Sequence, residues 1–287
     1  MKTFKQIIAS THIDKHGDKM LLSALESIIA QVKKSFVPTG VEHDPRIPPV
    51  GRLKDATLVE IGDGEYAVEG VLEIFEPSDT AVPLDLSRKM VVKNHTKETL
   101  RIDYDRNYDN PEDLIVIKEI ASQFGSKPEY SVKKAVDPIS CLVIGGSFVL
   151  ASLAGGFFKK MGSDAWDVLK KKLIKLLSHR KEGEKEKLLV FEFTVFTASQ
   201  SMLVEAVLTN PTQADLDLFV NRGLAALDRF LPNLFSQEQP LAKAVFQLKG
   251  NDLVLDFLVR ADCLPLKTKQ PVIINLAETE PIISVGH

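Results

Sequence analysis

Cysteine is nearly missing from this chain. Cys141 and Cys263 are the two in 287 residues; they lie far apart and without metal-ligand spacing. So sparse a usage fits a reducing compartment with both thiols buried. A charge surplus is missing too: 36 Lys and Arg stand against 39 Asp and Glu, and the net charge of −3 removes the global case for nucleic-acid binding. No G-x-S-x-G nucleophile elbow and no internal repeat occur. Residues 183–287 hold no cluster of His, Cys, Asp and Glu with the look of a metal site, and no cofactor is expected. The first ten residues lack the apolar core of a signal peptide and are expected to form a first strand, which with the cysteine usage points to the cytoplasm. What remains is an ordinary folded composition, 44% apolar and 26% charged, at a length that suggests two domains.

The patterning predicts an α+β protein in three parts: 1–138, 139–182 and 183–287. In the first part, apolar positions recur at helical spacing from Met20 to Phe36, and Pro38 ends the run. Leu53–Ile61 and Tyr66–Phe75 read as strands joined by a Gly62-Asp63-Gly64 turn. Short strands are expected at Met90–Lys93 and Thr99–Tyr104. A helix is expected over Pro111–Phe124, with Glu112 and Asp113 at the positive end of its dipole, and a strand from Glu129 to Val136. In the last part, two strands, a helix over Pro211–Phe230 and two more strands give a ββαββ module. Lys243, Arg260 and Asp262 in this module read equally as rim charges or ligands.

One loop carries the chemistry. Thr39–Arg52 holds His43 between Glu42 and Asp44, with three prolines and a glycine shaping the backbone after it. A histidine beside a carboxylate can be oriented and tuned as a general base, and a lone histidine in a polar loop is also ordinary surface. His12, Asp14, His16 and Asp18 could suggest a metal, but that pattern in a turn is more often solvated.

Taken together, Ala9-Ser10-Thr11-x-Ile13-Asp14-x-x-Gly17-Asp18, then Glu42-His43-Asp44-x-x-x-x-Pro49-Val50-Gly51-Arg52, Val68-Glu69-Gly70 and Glu129-Tyr130-Ser131-Val132 with Pro138 resemble the tailed-phage prohead (capsid maturation) serine proteases. The resemblance covers residues 4–138. It implies an N-terminal β-barrel-like domain of the herpesvirus-assemblin type, with His43 at the family's histidine position. The family places its serine on a short strand about fifty residues later. The nearest fit is Leu100-Arg101-Ile102-Asp103-Tyr104, which puts Arg101 where the nucleophile belongs. Arginine cannot attack a carbonyl, so that alignment describes a pseudoenzyme. Ser131, with His43 as general base and Asp44 or Glu42 as its orienting carboxylate, is the tentative catalytic set, and Ser87 is the alternative nucleophile.

Ile139–Phe158 runs 20 residues without a charge. That length just reaches what a bilayer core of ~30 Å requires. The tract reads as a Gly-rich apolar helix, either in a membrane or buried in a core or subunit interface. The basic amphipathic stretch Lys159–Leu177 behind it would suit an anionic inner leaflet. Two functions follow. In one, the chain is a bacterial or phage-derived effector whose degenerate prohead-protease-like domain binds a protein partner, homo-oligomerises and touches membrane through Ile139–Phe158. In the other, it is an active serine endopeptidase acting on a peptide substrate.

Overall fold

The computed structural model describes residues 1–13, 19–40, 44–76, 83–92, 100–130, 139–162, 165–178, 186–266 and 271–279. The elements, in chain order, are β1 (Lys2–Ser10), α1 (Leu22–Lys34), β2 (Val37–Thr39), β3 (Gly51–Gly62), β4 (Glu65–Ile74), β5 (Arg101–Tyr104), α2 (Pro111–Gln123), β6 (Glu129–Tyr130) and β7 (Ile139–Val149). Next come α3 (Leu153–Met161), α4 (Ala165–Ser178), β8 (Glu186–Phe196), β9 (Ser201–Thr209), α5 (Gln213–Leu218), α6 (Leu224–Phe235), β10 (Leu241–Lys249), β11 (Asp252–Arg260), β12 (Pro265–Leu266) and β13 (Val272–Asn275). Two compact units result. The first comprises Met1–Val91 and Val259–Leu266; the second comprises Val92–Leu258 and Lys267–His287.

The first unit is built on an antiparallel sheet in the order β1–β4–β3–β2. The predicted hairpin is present, and its turn works because Gly62, Asp63 and Gly64 all take positive φ, which glycine adopts without strain. The helix α1 follows Leu21, whose side chain offers no cap. Its Leu25 and Val32 pack on Ala9, Leu53, Ala56, Val68 and Leu72. One helix on one sheet face buries this core, so closure is unnecessary. Among the described residues the sheet is open, with β1 and β2 as its edges, where a barrel-like domain was expected.

The second unit contains a mixed sheet in the order β11–β10–β9–β8–β7–β5–β6, with β13 also on β11. Antiparallel pairs (β5 with β7, β8 with β9) alternate with parallel ones (β7 with β8, β9 with β10, β5 with β6). Parallel neighbours need a crossover. Here α3 and α4 carry the chain from β7 to β8, and α5 and α6 carry it from β9 to β10.

The uncharged tract is therefore not one helix. Ile139–Val149 is the strand β7, Ala151 turns the chain at positive φ, and α3 follows. β7 lies between β5 and β8 and is buried on both faces, and such a strand reads as a continuous apolar run. No helix among the described residues is long and apolar enough to cross a membrane. The basic stretch is also split, since α3 ends at Met161 and α4 starts at Ala165. Its apolar face, Trp166, Leu169, Leu173, Leu176 and Leu177, is buried within the protein. Lys170 is buried beside it and bonds Asp217 at 2.7 Å, and Asp217 also accepts from the Trp166 indole.

Two further boundaries move. Because β5 pairs with β7, residues 101–130 belong with the second unit, so the division at 138 is replaced by one at Val91. The helix expected over Pro211–Phe230 is α5 and α6 joined by a π-helical turn at Phe219–Gly223. A Cβ at Gly223 would stand 2.6 Å from the Phe219 ring, so only glycine lets this turn close on that ring. Thr212 caps the helix, in a capping box with Asp215.

The register aligns Ile102, Ile144, Phe191, Ala206 and Phe246 across five adjacent strands, all fully buried. Phe157 of α3 and Phe219 meet Phe191 with ring centroids 6.2 and 4.7 Å away, and Phe230 of α6 meets Phe246 at 5.9 Å. This apolar line is where the helices dock. Phe191→Ala should cost about 3–5 kcal/mol of unfolding free energy in a denaturant titration. A loss below roughly 1 kcal/mol would mean that the helices dock elsewhere.

Candidate functional site

The expected catalytic set is only partly on view. His43 and Ser131 lie outside the described residues. Asp44 is described, and its carboxylate is clamped by Arg46, accepting from Nε at 2.9 Å, from Nη2 at 2.7 Å and from the backbone N–H at 2.9 Å. These bonds close a tight loop, in which the Ile47 N–H also bonds the Asp44 carbonyl. Ser87 is exposed, and its neighbour is the Asp85 carboxylate, which accepts its N–H at 3.0 Å. The Ser87 hydroxyl bonds the same carboxylate and holds its pKa below the ordinary value. A carboxylate beside a serine hydroxyl is a far weaker base than an imidazole.

The first unit instead gathers charge around Arg52 of β3, which is 3% exposed. Arg52 Nε donates to Glu73 Oε2 at 2.7 Å, Nη1 to the Asp262 carbonyl at 3.0 Å and Nη2 to Asp85 at 3.3 Å. The Phe36 ring centroid lies 4.1 Å from its guanidinium carbon. Glu73 takes a second cation, Lys54, at 2.7 Å. Asp262 is bonded by Arg260 Nε at 3.0 Å and by the Asp85 N–H at 3.2 Å. Burial raises the pKa values of Glu73 and Asp262, but the bonds from Lys54 and Arg52 in one case, and from Arg260 in the other, bring both below the usual carboxylate range. Nearby, burial pushes the Cys263 thiol up to about 12, which makes it a poor nucleophile. Arg260 and Asp262 are thus buried partners, not the rim charges or ligands their sequence suggested. The cluster ties residues 259–266 to strands some two hundred positions earlier in the chain. Nothing local in the sequence announces such a contact; a lone arginine within an otherwise apolar strand ending is the one trace it leaves.

The second unit carries a row of charge on one rung of its sheet. Arg101 of β5 stands opposite Gly145 of β7, which pairs with Glu192 of β8, which pairs with Glu205 of β9. A Cβ at Gly145 would lie 2.6 Å from the Arg101 guanidinium carbon. The missing side chain thus opens the path by which Arg101 crosses a whole strand and bonds Glu192. On its near side Arg101 Nε bonds Asp103 at 2.9 Å. Burial opposes the charge on Arg101, but Glu192 and Asp103 outweigh it and raise its pKa further. Asp103 is pushed up by burial, with Arg101 opposing. At the other end Lys243 of β10 bonds Glu205 at 2.8 Å. Glu192 and Glu205 were not singled out from the sequence, because each sits within a run of apolar strand residues that gives no sign of a polar rung.

Among the described residues no group of three or more His, Cys, Asp and Glu is placed to hold a metal ion. The chain matches no protein-family description, no curated protein and no solved structure.

Both charge clusters are arranged to hold strands together. Replacing a whole buried ion pair by apolar groups is often tolerated, whereas removing one partner strands the other. Arg52→Met leaves Glu73 and the Asp262 carbonyl short of a donor, and it should destabilise the chain by about 3–5 kcal/mol in chemical denaturation. A variant within roughly 0.5 kcal/mol of wild type would show that the cluster holds nothing.

Proposed function

We propose that the chain is a non-hydrolytic assembly module, related in its N-terminal region to the prohead proteases but with the nucleophile position given over to structure. The observation that carries this reading is the position of Arg101. At the site where the family resemblance expects a serine, a guanidinium is bonded to Asp103 and Glu192. A residue so engaged supplies neither a nucleophile nor room for one, and its surroundings favour a permanent cation.

The surface that would serve assembly is β1. Among the described residues this nine-residue edge strand pairs with β4 alone, and Lys2 to Gln6 are exposed throughout. Phe4 and Ile7 are apolar and exposed on it. An open strand edge offers a row of backbone donors and acceptors to another extended chain. Lys5 is matched by Glu69 at 2.7 Å and Lys2 approaches Glu76 at 3.4 Å, so the positive charge that commonly blunts such edges is answered from within the sheet. A second copy, pairing antiparallel through β1 about a two-fold axis, is the occupant that this edge fits, in line with the homo-oligomer expected from the sequence. The charge-free tract has no part in this reading, because its strand half lies inside the sheet.

The competing reading is a serine endopeptidase using His43 with Ser131 or Ser87. Intact-mass analysis after treatment with a serine-directed fluorophosphonate separates the two, with wild type and His43→Ala run together. The module predicts no His43-dependent adduct and no cleavage of a denatured protein substrate. A stoichiometric adduct lost in His43→Ala would establish the peptidase and remove the module. Light scattering on the same wild-type sample should give a mass above that of one chain, reduced to one chain by Ile7→Glu; a wild-type monomer at all concentrations would remove assembly through β1.

A further inference from the structure

Glu192 and Glu205 face each other directly across the antiparallel pair of β8 and β9. Like charges in that position repel and weaken the pairing. Each has one cation, and both cations come from outside the pair: Arg101 reaches Glu192 over Gly145, and Lys243 bonds Glu205 Oε1. Asp103 on β5 draws on the same arginine, and Glu129 of β6 adds further negative charge to Asp103. Among the described residues, the charged groups around this rung are therefore Arg101 and Lys243 against Asp103, Glu129, Glu192 and Glu205, a deficit of cations. Glu205 is 5% exposed, and its second oxygen, Oε2, has no hydrogen-bond partner among the described residues. An ionised carboxylate oxygen buried without a donor costs more than the same group left neutral.

We propose that Glu205 keeps a proton on Oε2 at neutral pH and directs it to the Glu192 carboxylate opposite, so that the two form a proton-sharing pair at the centre of the sheet. One proton then does three things. It removes one of the two opposed anions, it converts the orphan acceptor into a donor, and it leaves Lys243 on Oε1 as before. Nothing is consumed: the proton comes from solvent and returns to it. Burial is the main force raising the affinity of Glu205 for that proton; Lys243 opposes it and the charge of Glu192 adds to it.

The pair makes the β8–β9 hairpin sensitive to pH in a defined direction. The folded chain binds the Glu205 proton more tightly than the unfolded chain does. Its contribution to stability is therefore full below the ordinary carboxyl pKa, declines as pH rises toward the folded value, and is gone above it. Raising the pH places two anions face to face in the middle of the sheet and loosens the hairpin; lowering it tightens the same contact. This is opposite to the Glu73 and Asp262 carboxylates of the first unit, whose stabilisation grows with pH.

The test is a carboxyl-carbon NMR titration of the full chain labelled at glutamate. The wild type should show one glutamate carboxyl still protonated at neutral pH. Glu205→Gln should delete that signal, and Glu192→Gln should lower its pKa by about one unit or more, because the opposing charge is gone. A wild type whose glutamates are all ionised at neutral pH overturns the proposal, as does a neutral carboxyl that survives in Glu205→Gln. Should Glu205→Gln fail to fold, the Glu192→Gln sample decides alone: an unmoved titration overturns the proposal and a downward shift supports it.

Discussion

Arg101 reaches Glu192 by lying across a strand that has no side chain in its way. The rest of the second unit follows from that one passage. Without it, Glu192 and Glu205 would stand opposed with a single lysine between them, and Asp103 would be buried with no cation. With it, one long guanidinium joins β5 to β8 over the top of β7, while the neighbouring rung, Ile102 to Phe246, buries apolar groups beneath the helices. The sheet thus has a dry side that holds the helices and a polar side stitched by charge. Gly145 is the residue that allows both: its strand position is needed for the ladder, and its missing Cβ is needed for the arginine.

The first unit solves a different problem by similar means. Residues 259–266 come back to strands laid down near the start of the chain, and the return is secured by Arg52, Arg260 and Asp262 in a nearly dry setting. Among the described residues, Arg52, Arg260, Glu73 and Asp262 each meet an opposite charge or a carbonyl, and Phe36 covers the Arg52 guanidinium face. Such a network specifies one register for the returning segment even where its net contribution to stability is modest. In both units a buried or half-buried arginine joins strands by bonding carboxylates on more than one of them.

Local features of the sequence translated well into structure. The helical spacing of Leu25, Ile28, Ile29 and Val32, the Gly62-Asp63-Gly64 turn and the acidic first turn after Pro111 each act within a few residues, and each is present in the fold. The charge-free tract misled because an interior strand and a buried helix share one signature when every face is covered. Two glycines of that tract serve as clearance, Gly145 for Arg101 and Gly156 for the Phe148 ring. The charged rung and the Arg52 cluster were beyond reading, since their members come from strands brought together only by the sheet order and by a return over 210 positions. Of the catalytic candidates, Asp44 is bonded by Arg46 and Ser87 lies beside Asp85, while His43 and Ser131 lie outside the described residues.

The claim that matters most is that Arg101 is a structural tie. A double-mutant cycle between Arg101→Met and Glu192→Gln, measured by denaturant unfolding of the full chain, addresses it without assuming any activity. A tie of this kind predicts a coupling energy of about 1–3 kcal/mol, with the double variant less damaged than the sum of the single ones. Strict additivity, with a coupling near zero, would contradict it: Arg101 would then be free for some other purpose, and the case against chemistry at that position would fall with it.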